Sequence, residues 1–223
     1  MRLRAEYSVG RNLQFLANLD MMHLMERALR RAAIPCHLTE GFNPHIKLSM
    51  GTILPVGVWG ENEYFDLDLE EMPPEEFKTK MNDVLPPDMR VKQCRAIPNN
   101  VASLMKVVNA ASYVFIVKPG QNLSAMISSL LGCNELLVQS RGKNKRVQKD
   151  LRPGIFSMTA EIGDGIDVLT VMVSINEPVN VRFDELLALF AENGLKTEDL
   201  VDFFRQGNYI KEGTKFYLPM EKV

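Results

Sequence analysis

Polar and apolar residues alternate from the start of the chain, and the period of the alternation changes from segment to segment. In Arg2–Val9, Leu3, Ala5 and Tyr7 share one face while Arg2, Arg4 and Glu6 share the other, the pattern of a half-buried strand. Gly10-Arg11-Asn12 turns the chain into the short apolar stretch Leu13–Ala17. Asn18 is then placed to cap a helix over 19–33, closed by Pro35. At about 100° per residue, Met21, Met22, Leu24, Met25, Ala28, Leu29, Ala32 and Ala33 cover about half of its circumference. Asp20, His23, Arg27, Arg30 and Arg31 gather on the opposite arc. Strands are predicted at 36–39, 46–50 and 63–69, the last with Tyr64, Asp66 and Asp68 alternating against Phe65, Leu67 and Leu69. Pro73-Pro74-Glu75-Glu76 opens a helix to about Leu85, with acids at the positive end of its dipole, and 90–97 is again a strand.

Pro98-Asn99-Asn100 marks a boundary, followed by a short helix over 101–110. From Ser112 the order restarts: strand 113–118, helix 122–131, strand 135–140 and a basic turn. Segments 148–161 and 168–175 then pair across Gly163-Asp164-Gly165. A helix over 182–193 ends at Gly194, Thr197 caps another to about Arg205, and 215–218 closes as a strand. Both halves therefore run strand, helix, strand, turn, two strands, helix, strand, without residue-level repetition. The pattern predicts an α+β protein of two ferredoxin-like βαββαβ halves, with antiparallel sheets and helices packed on one face. The halves are expected at 1–98 and 112–223, with 99–111 as a connecting helix.

Composition narrows the class. The 223 residues are 46% hydrophobic and 24% charged, ordinary for a globular protein and unlike a disordered chain. The longest apolar run, Leu186–Ala191, falls far short of the roughly 20 residues that span a bilayer. The N-terminal residues start a strand rather than a signal peptide, so a cytoplasmic protein without membrane partners is expected. The three cysteines, Cys36, Cys94 and Cys133, lie too far apart for a disulfide framework, a zinc site or an iron–sulfur cradle. The histidines, His23, His37 and His45, have no metal-ligand spacing, and no phosphate-binding glycine loop or nucleophile elbow is present. Neither a metal nor a cofactor is expected.

The net charge of -2 conceals two opposed clusters. Arg141, Lys143, Lys145, Arg146, Lys149 and Arg152 surround a single acid, Asp150. That cluster is either a phosphate-gripping loop or a solvated hairpin tip that protects a strand edge. Glu61, Glu63, Asp66, Asp68, Glu70, Glu71, Glu75 and Glu76 form the acidic counterweight, either a docking surface for a basic partner or an ordinary soluble strand and helix start. The Asp20/His23/Arg27/Arg30/Arg31 stripe suits an anion site, an Asp20–His23 proton shuttle, or a merely solvated face. Glu40-Gly-Phe-Asn-Pro-His45, followed by Lys47, presents an aromatic, an amide, an imidazole and an amine beside a strand. His45 is there either a general acid/base, a stacking group or a strand residue bonded to backbone.

Five strings, Leu13-Gln-Phe-Leu-Ala-Asn-Leu-Asp20, Glu26-Arg-Ala-Leu-Arg-Arg-Ala32, Glu40-Gly-Phe-Asn-Pro-His45 with Lys47, Leu54-Pro-Val-Gly57 and Glu63-Tyr-Phe-Asp66, resemble the radical-SAM-linked protein family. This is a bacterial domain of unknown function found fused to, or encoded beside, a radical SAM protein. Lys149-Asp-Leu-Arg-Pro153 is similar to its second-half motif. The family usually carries His directly before the Leu-Asp pair, where this chain has Asn18. The resemblance implies association with a radical SAM enzyme and assigns no activity. No CxxxCxxC motif occurs, so the chain would be the accessory partner.

The resulting expectation is a non-catalytic module presenting structured RNA to a radical SAM protein. Arg27, Arg30, Arg31, Lys143, Lys145, Arg146 and Arg152 would meet phosphates and Phe42 or His45 a base, with Asn43, Lys47 and Asp150 on the same surface. One alternative is an enzyme acting on an anionic nucleotide-like substrate through His45, Asp20 and Arg27, which requires the three to converge in one pocket. The other is a protein-docking scaffold using the acidic 61–76 segment.

Overall fold

The computed structural model describes residues 1–141 and 146–223, with Arg146 described by its backbone alone. In chain order the elements are β1 (Arg2–Val9), α1 (Asn18–Arg31), β2 (Leu48–Met50), β3 (Trp59–Asp68), α2 (Pro74–Val84), β4 (Met89–Ile97), α3 (Leu104–Val107), β5 (Ala110–Val117), α4 (Leu123–Gly132), β6 (Leu137–Arg141), β7 (Arg146–Asp150), β8 (Ile155–Ile162), β9 (Asp167–Ser174), α5 (Phe183–Glu192), β10 (Leu200–Glu212) and β11 (Lys215–Tyr217). Two compact units result, one of Met1–Val108 with Gly207–Val223 and one of Asn109–Gln206. The boundary falls inside β10.

In the first unit β1 pairs antiparallel with both β3 and β4, and β2 pairs antiparallel with β3. Helices follow β1 and β3, so the path β1-α1-β2-β3-α2-β4 with spatial order β4-β1-β3-β2 is a split βαβ unit. α1 and α2 cover one face: Met21, Met25, Leu29, Phe77 and Met81 are buried against Leu3, Ala5, Phe65 and Leu67. The second unit repeats the plan, with β10, β5, β9 and β8 in spatial order and α4 and α5 as its helices. Phe115 stacks on Phe183 at 5.6 Å and meets Phe190 edge-on at 5.1 Å in its core. The β6–β7 hairpin is an insertion between α4 and β8. The α+β class and the antiparallel pairing thus match the hydrophobic pattern.

Several local expectations do not hold. Residues 197–205 form one short 3₁₀ turn and then β10, not a helix. The predicted strand 148–161 is broken at Leu151–Gly154, where Gly154 packs so closely on Val179 and Val181 that no Cβ would fit. Residues 101–110 hold a single helical turn, and 36–39 contributes only isolated bridges from Cys36 and Leu38. Ala17, not Asn18, caps α1. Pro35 does not close that helix either. Ala33 takes φ 50° while Ile34 N–H donates to the Leu29 carbonyl and Ala33 N–H to that of Arg30, the paired closure known as the Schellman motif.

The polar faces of β1 and β3 are not exposed. Arg4 is fully buried, as are Glu6, Glu63 and Asp66. Arg4 Nε and Nη2 donate to the two oxygens of Asp66 at 2.7 and 3.0 Å, and Arg2 Nη2 donates to the same carboxylate at 2.7 Å. Arg4 Nη1 donates to the Pro219 carbonyl at 2.9 Å and Arg2 Nη1 to that of Val101 at 2.9 Å. The face without long helices is therefore roofed, in part, by the segment after β4 and by the tail after β11. Beside it, Glu6 accepts from Tyr64 and Gln93, and burial together with the Glu6 charge pushes the Tyr64 hydroxyl well above its usual range.

Candidate functional site

α1 sets out its stripe as the helical period requires. Asp20, His23, Arg27, Arg30 and Arg31 are all exposed. Among the described residues none of the three arginines pairs with a carboxylate, and Glu26, one turn before Arg30, makes no ion pair with it. Arg30 lies close enough to Cys36 to act on its thiol. Burial pushes that thiol up to about 11, and the guanidinium opposes the shift only in part. Burial likewise raises the Cys94 thiol to about 11, with Glu75 adding to it, and the thiol donates to the Pro74 carbonyl. Both sulfurs are therefore neutral at physiological pH.

The 39–45 loop joins Leu38 to Ile46, which bridge each other. Thr39 N–H donates to the His45 carbonyl at 2.7 Å, and His45 N–H donates to Thr39 Oγ1 at 2.9 Å, which closes its base. Gly41, at φ 126°, makes the turn possible without strain. Phe42 at the tip is as exposed as a free side chain, with 109% relative accessibility. The Asn43 amide approaches His45 Nε2 at 3.4 Å. Lys47 lies past the loop base in a cleft of about 490 Å³, together with Arg2, His37, Ser49, Asp68 and Asn99.

The structure brings Asn43 to His45 and Asp150 to Arg152. Among the described residues no hydrogen bond or ion pair joins His45, Asp20 and Arg27. Asp150 and Arg152 lie in the second unit, in contacts that sequence reading missed. Asp150 Oδ1 accepts from the N–H groups of Leu136 and Arg152 at 2.8 and 2.9 Å. The Arg152 guanidinium donates to the carbonyls of Leu131, Cys133 and Ile155. Lys149 reaches Glu185, with Nζ 2.7 Å from Oε2, and Ser140 Oγ donates to Oε1 of the same carboxylate at 2.5 Å. Burial raises the Glu185 carboxyl, but the bonds from Lys149, Ser140 and the Arg182 N–H outweigh it and hold the group below its usual range. The Lys149–Pro153 string is thus a clasp between the base of the β6–β7 hairpin and its unit. Lys143, Lys145 and the Arg146 side chain lie outside the described residues. In the acidic segment, Glu63 and Asp66 are buried, so 61–76 does not offer its acids as one surface.

Two split βαβ units define an α+β protein, and the first of them exposes both the arginines of α1 and the phenylalanine at the tip of the 39–45 loop. Residues 2–183 match the family described as "Uncharacterized protein conserved in bacteria (DUF2344)", and the chain belongs to that family. A search of curated proteins found no match. Among solved structures, a chain of the crystal structure of a Cbf5-Nop10-Gar1 complex is similar at 11% identity and a TM-score of 0.51, over 95% of this chain and 50% of that one. A chain of the archaeal box H/ACA sRNP Nop10-Cbf5 complex is similar at 10% identity and a TM-score of 0.43, over 92% and 46%. This chain spans about half the length of each of these two solved chains, and the likeness to the first is one of fold. No helix among the described residues is long and apolar enough to cross a membrane.

Proposed function

We propose that this chain is an accessory recognition module that binds structured RNA and presents it to a radical SAM enzyme. The observation that carries the RNA reading is the set of three exposed guanidiniums on α1, Arg27, Arg30 and Arg31, which pair with no carboxylate among the described residues, with Phe42 bare on a loop of the same unit. A guanidinium with no protein carboxylate to satisfy is free to take phosphate oxygens in pairs, and an exposed ring offers a stacking face to an unpaired base. Lys143, Lys145 and Arg146 add charge by sequence. The radical SAM partner rests on the motif resemblance and on the absence of a CxxxCxxC motif in this chain.

Filter binding to cellular RNA across a salt series tests the first half. Affinity is expected to fall steeply as salt rises, and Arg27→Ala/Arg30→Ala/Arg31→Ala to weaken binding and flatten the salt slope by about 3. Lys143→Ala/Lys145→Ala/Arg146→Ala measures the hairpin tip separately. Undetectable or salt-insensitive binding, unchanged by either triple variant, overturns the RNA reading. Recovery of a radical SAM protein with the tagged chain from native lysate tests the second half, and its repeated absence overturns that half.

A further inference from the structure

The cleft holding Lys47 carries the strongest unassigned chemistry in the first unit. Three main-chain bonds stitch its walls together: His37 N–H donates to the Asp68 carbonyl at 2.9 Å, Lys47 N–H to that of His37 at 2.9 Å, and Asp68 N–H to that of Lys47 at 3.1 Å. Ser49 stands opposite Asp66 in the β2–β3 register, and Arg2 stands opposite Asp68 in the β1–β3 register. His37, Lys47 and Asp68 are thus placed by backbone pairing, whereas Arg2, at the same cleft, is held by the Asp66 carboxylate at 2.7 Å and by the Val101 carbonyl at 2.9 Å. Among the described residues, the side chains of His37, Lys47, Ser49 and Asp68 make no hydrogen bond or ion pair. Lys47 and Asp68 are joined through their backbones, yet their opposite charges do not pair. At about 490 Å³ the cleft is in the size range of small-ligand sites.

A ligand that satisfies both charges must carry an anion at one point and hydrogen-bond donors at another. We infer that this cleft takes a guanine nucleotide, its phosphate on Lys47 and the N1–H and N2–H edge of its base on the Asp68 carboxylate. A carboxylate only accepts, and its two oxygens match two parallel N–H donors. Guanine alone among the four RNA bases presents two such donors side by side on its Watson–Crick edge. Adenine and cytosine set a ring-nitrogen lone pair beside the amino group, and uracil flanks its one N–H with two carbonyls, so each brings an acceptor against Asp68. The His37 ring supplies a stacking surface, as imidazoles do for splayed bases. This inference rests on the RNA reading in supposing the nucleotide to be part of a strand, and it names the base the module would select.

Titration of the full chain with the four nucleoside 5′-monophosphates tests it. GMP is expected to bind about tenfold or more tighter than AMP, CMP or UMP. Asp68→Asn, which keeps shape but turns a donor toward the base, is expected to erase that preference. Lys47→Ala is expected to weaken all four by a similar factor. Circular dichroism confirms that both variants fold. Equal affinities, no GMP binding at millimolar concentration, or a preference unchanged in Asp68→Asn overturns the inference. GMP selectivity without RNA binding leaves the cleft as a free-nucleotide site and removes the RNA reading. Salt-dependent RNA binding with no base preference does the reverse.

Discussion

Removing the Asp66 carboxylate strands Arg4. Arg4 is fully buried and gives two of its hydrogen bonds to Asp66, at 2.7 and 3.0 Å, and one to the Pro219 carbonyl at 2.9 Å. In Asp66→Ala the first two vanish while the charge stays where water does not reach. Hydrogen bonds to charged groups contribute about 1.5–3 kcal/mol each, and deleting one partner of a buried pair costs about 3–5 kcal/mol. The stranded charge sets the outcome, so a loss of about 3–5 kcal/mol is expected, a large share of the roughly 5–15 kcal/mol that holds a domain folded. Arg2 is the internal control. Its side chain is 15% exposed and can turn to solvent, so Arg2→Ala keeps the Arg4–Asp66 pair intact. It is expected to cost about 1–2 kcal/mol. Urea denaturation followed by fluorescence reads both, because the single tryptophan, Trp59, starts β3 in the same unit. An Asp66→Ala loss below about 1 kcal/mol, or no larger than that of Arg2→Ala, refutes the argument. Arg4→Met/Asp66→Leu, which removes both charges, should recover most of the loss.

Two further outcomes follow from local geometry. α5 closes with the same paired hydrogen bonds as α1 but places Gly194, at φ 94°, where α1 places Ala33. A left-handed alanine costs about 1–2 kcal/mol, part of which the greater freedom of unfolded glycine offsets, so Ala33→Gly should stabilise by about 0.5–1 kcal/mol. Thermal denaturation checks it, and a lowered midpoint refutes it. Glu185 has a folded pKa below its unfolded value, so its contribution is fully present above about pH 4.3 and is lost as pH falls through the folded value. Glu185→Gln is therefore expected to be less stable than the parent at pH 7, with the gap closing in acid. Urea curves at stepped pH, read by circular dichroism, decide this, and a gap equal at pH 7 and pH 3 counts against it.

What the sequence disclosed was what short periods encode. The arginine stripe follows from the 3.6-residue repeat of one helix, and the split βαβ order follows from alternation and turn residues. β10 escaped because Thr197-Glu-Asp imitates a helix start, and apart from the short pairing of 210–212 with β11 its partner strands lie far away in sequence. Arg4 escaped for a related reason. Alternation separates two faces but does not say what lies over each, and the roof includes a carbonyl 215 positions further on. Asp150 and Arg152 were readable as a motif but not as a clasp, since their partners are main-chain groups that carry no sequence signal.

The boundary inside β10 also orders events on the ribosome. Met1–Val108 lacks Gly207–Val223 until all of Asn109–Gln206 has been made, a delay of roughly 5–20 s at bacterial synthesis rates of about 5–20 residues per second. Throughout that interval Arg4 and Asp66 are without the Pro219 cover, and β3 is without the late part of β10 as a neighbour. The second unit, contiguous in sequence, can finish first, although its chain emerges later. A nascent chain stalled before Gly207 would therefore expose an unfinished strand edge and a half-covered guanidinium, the kind of surface that holding chaperones capture.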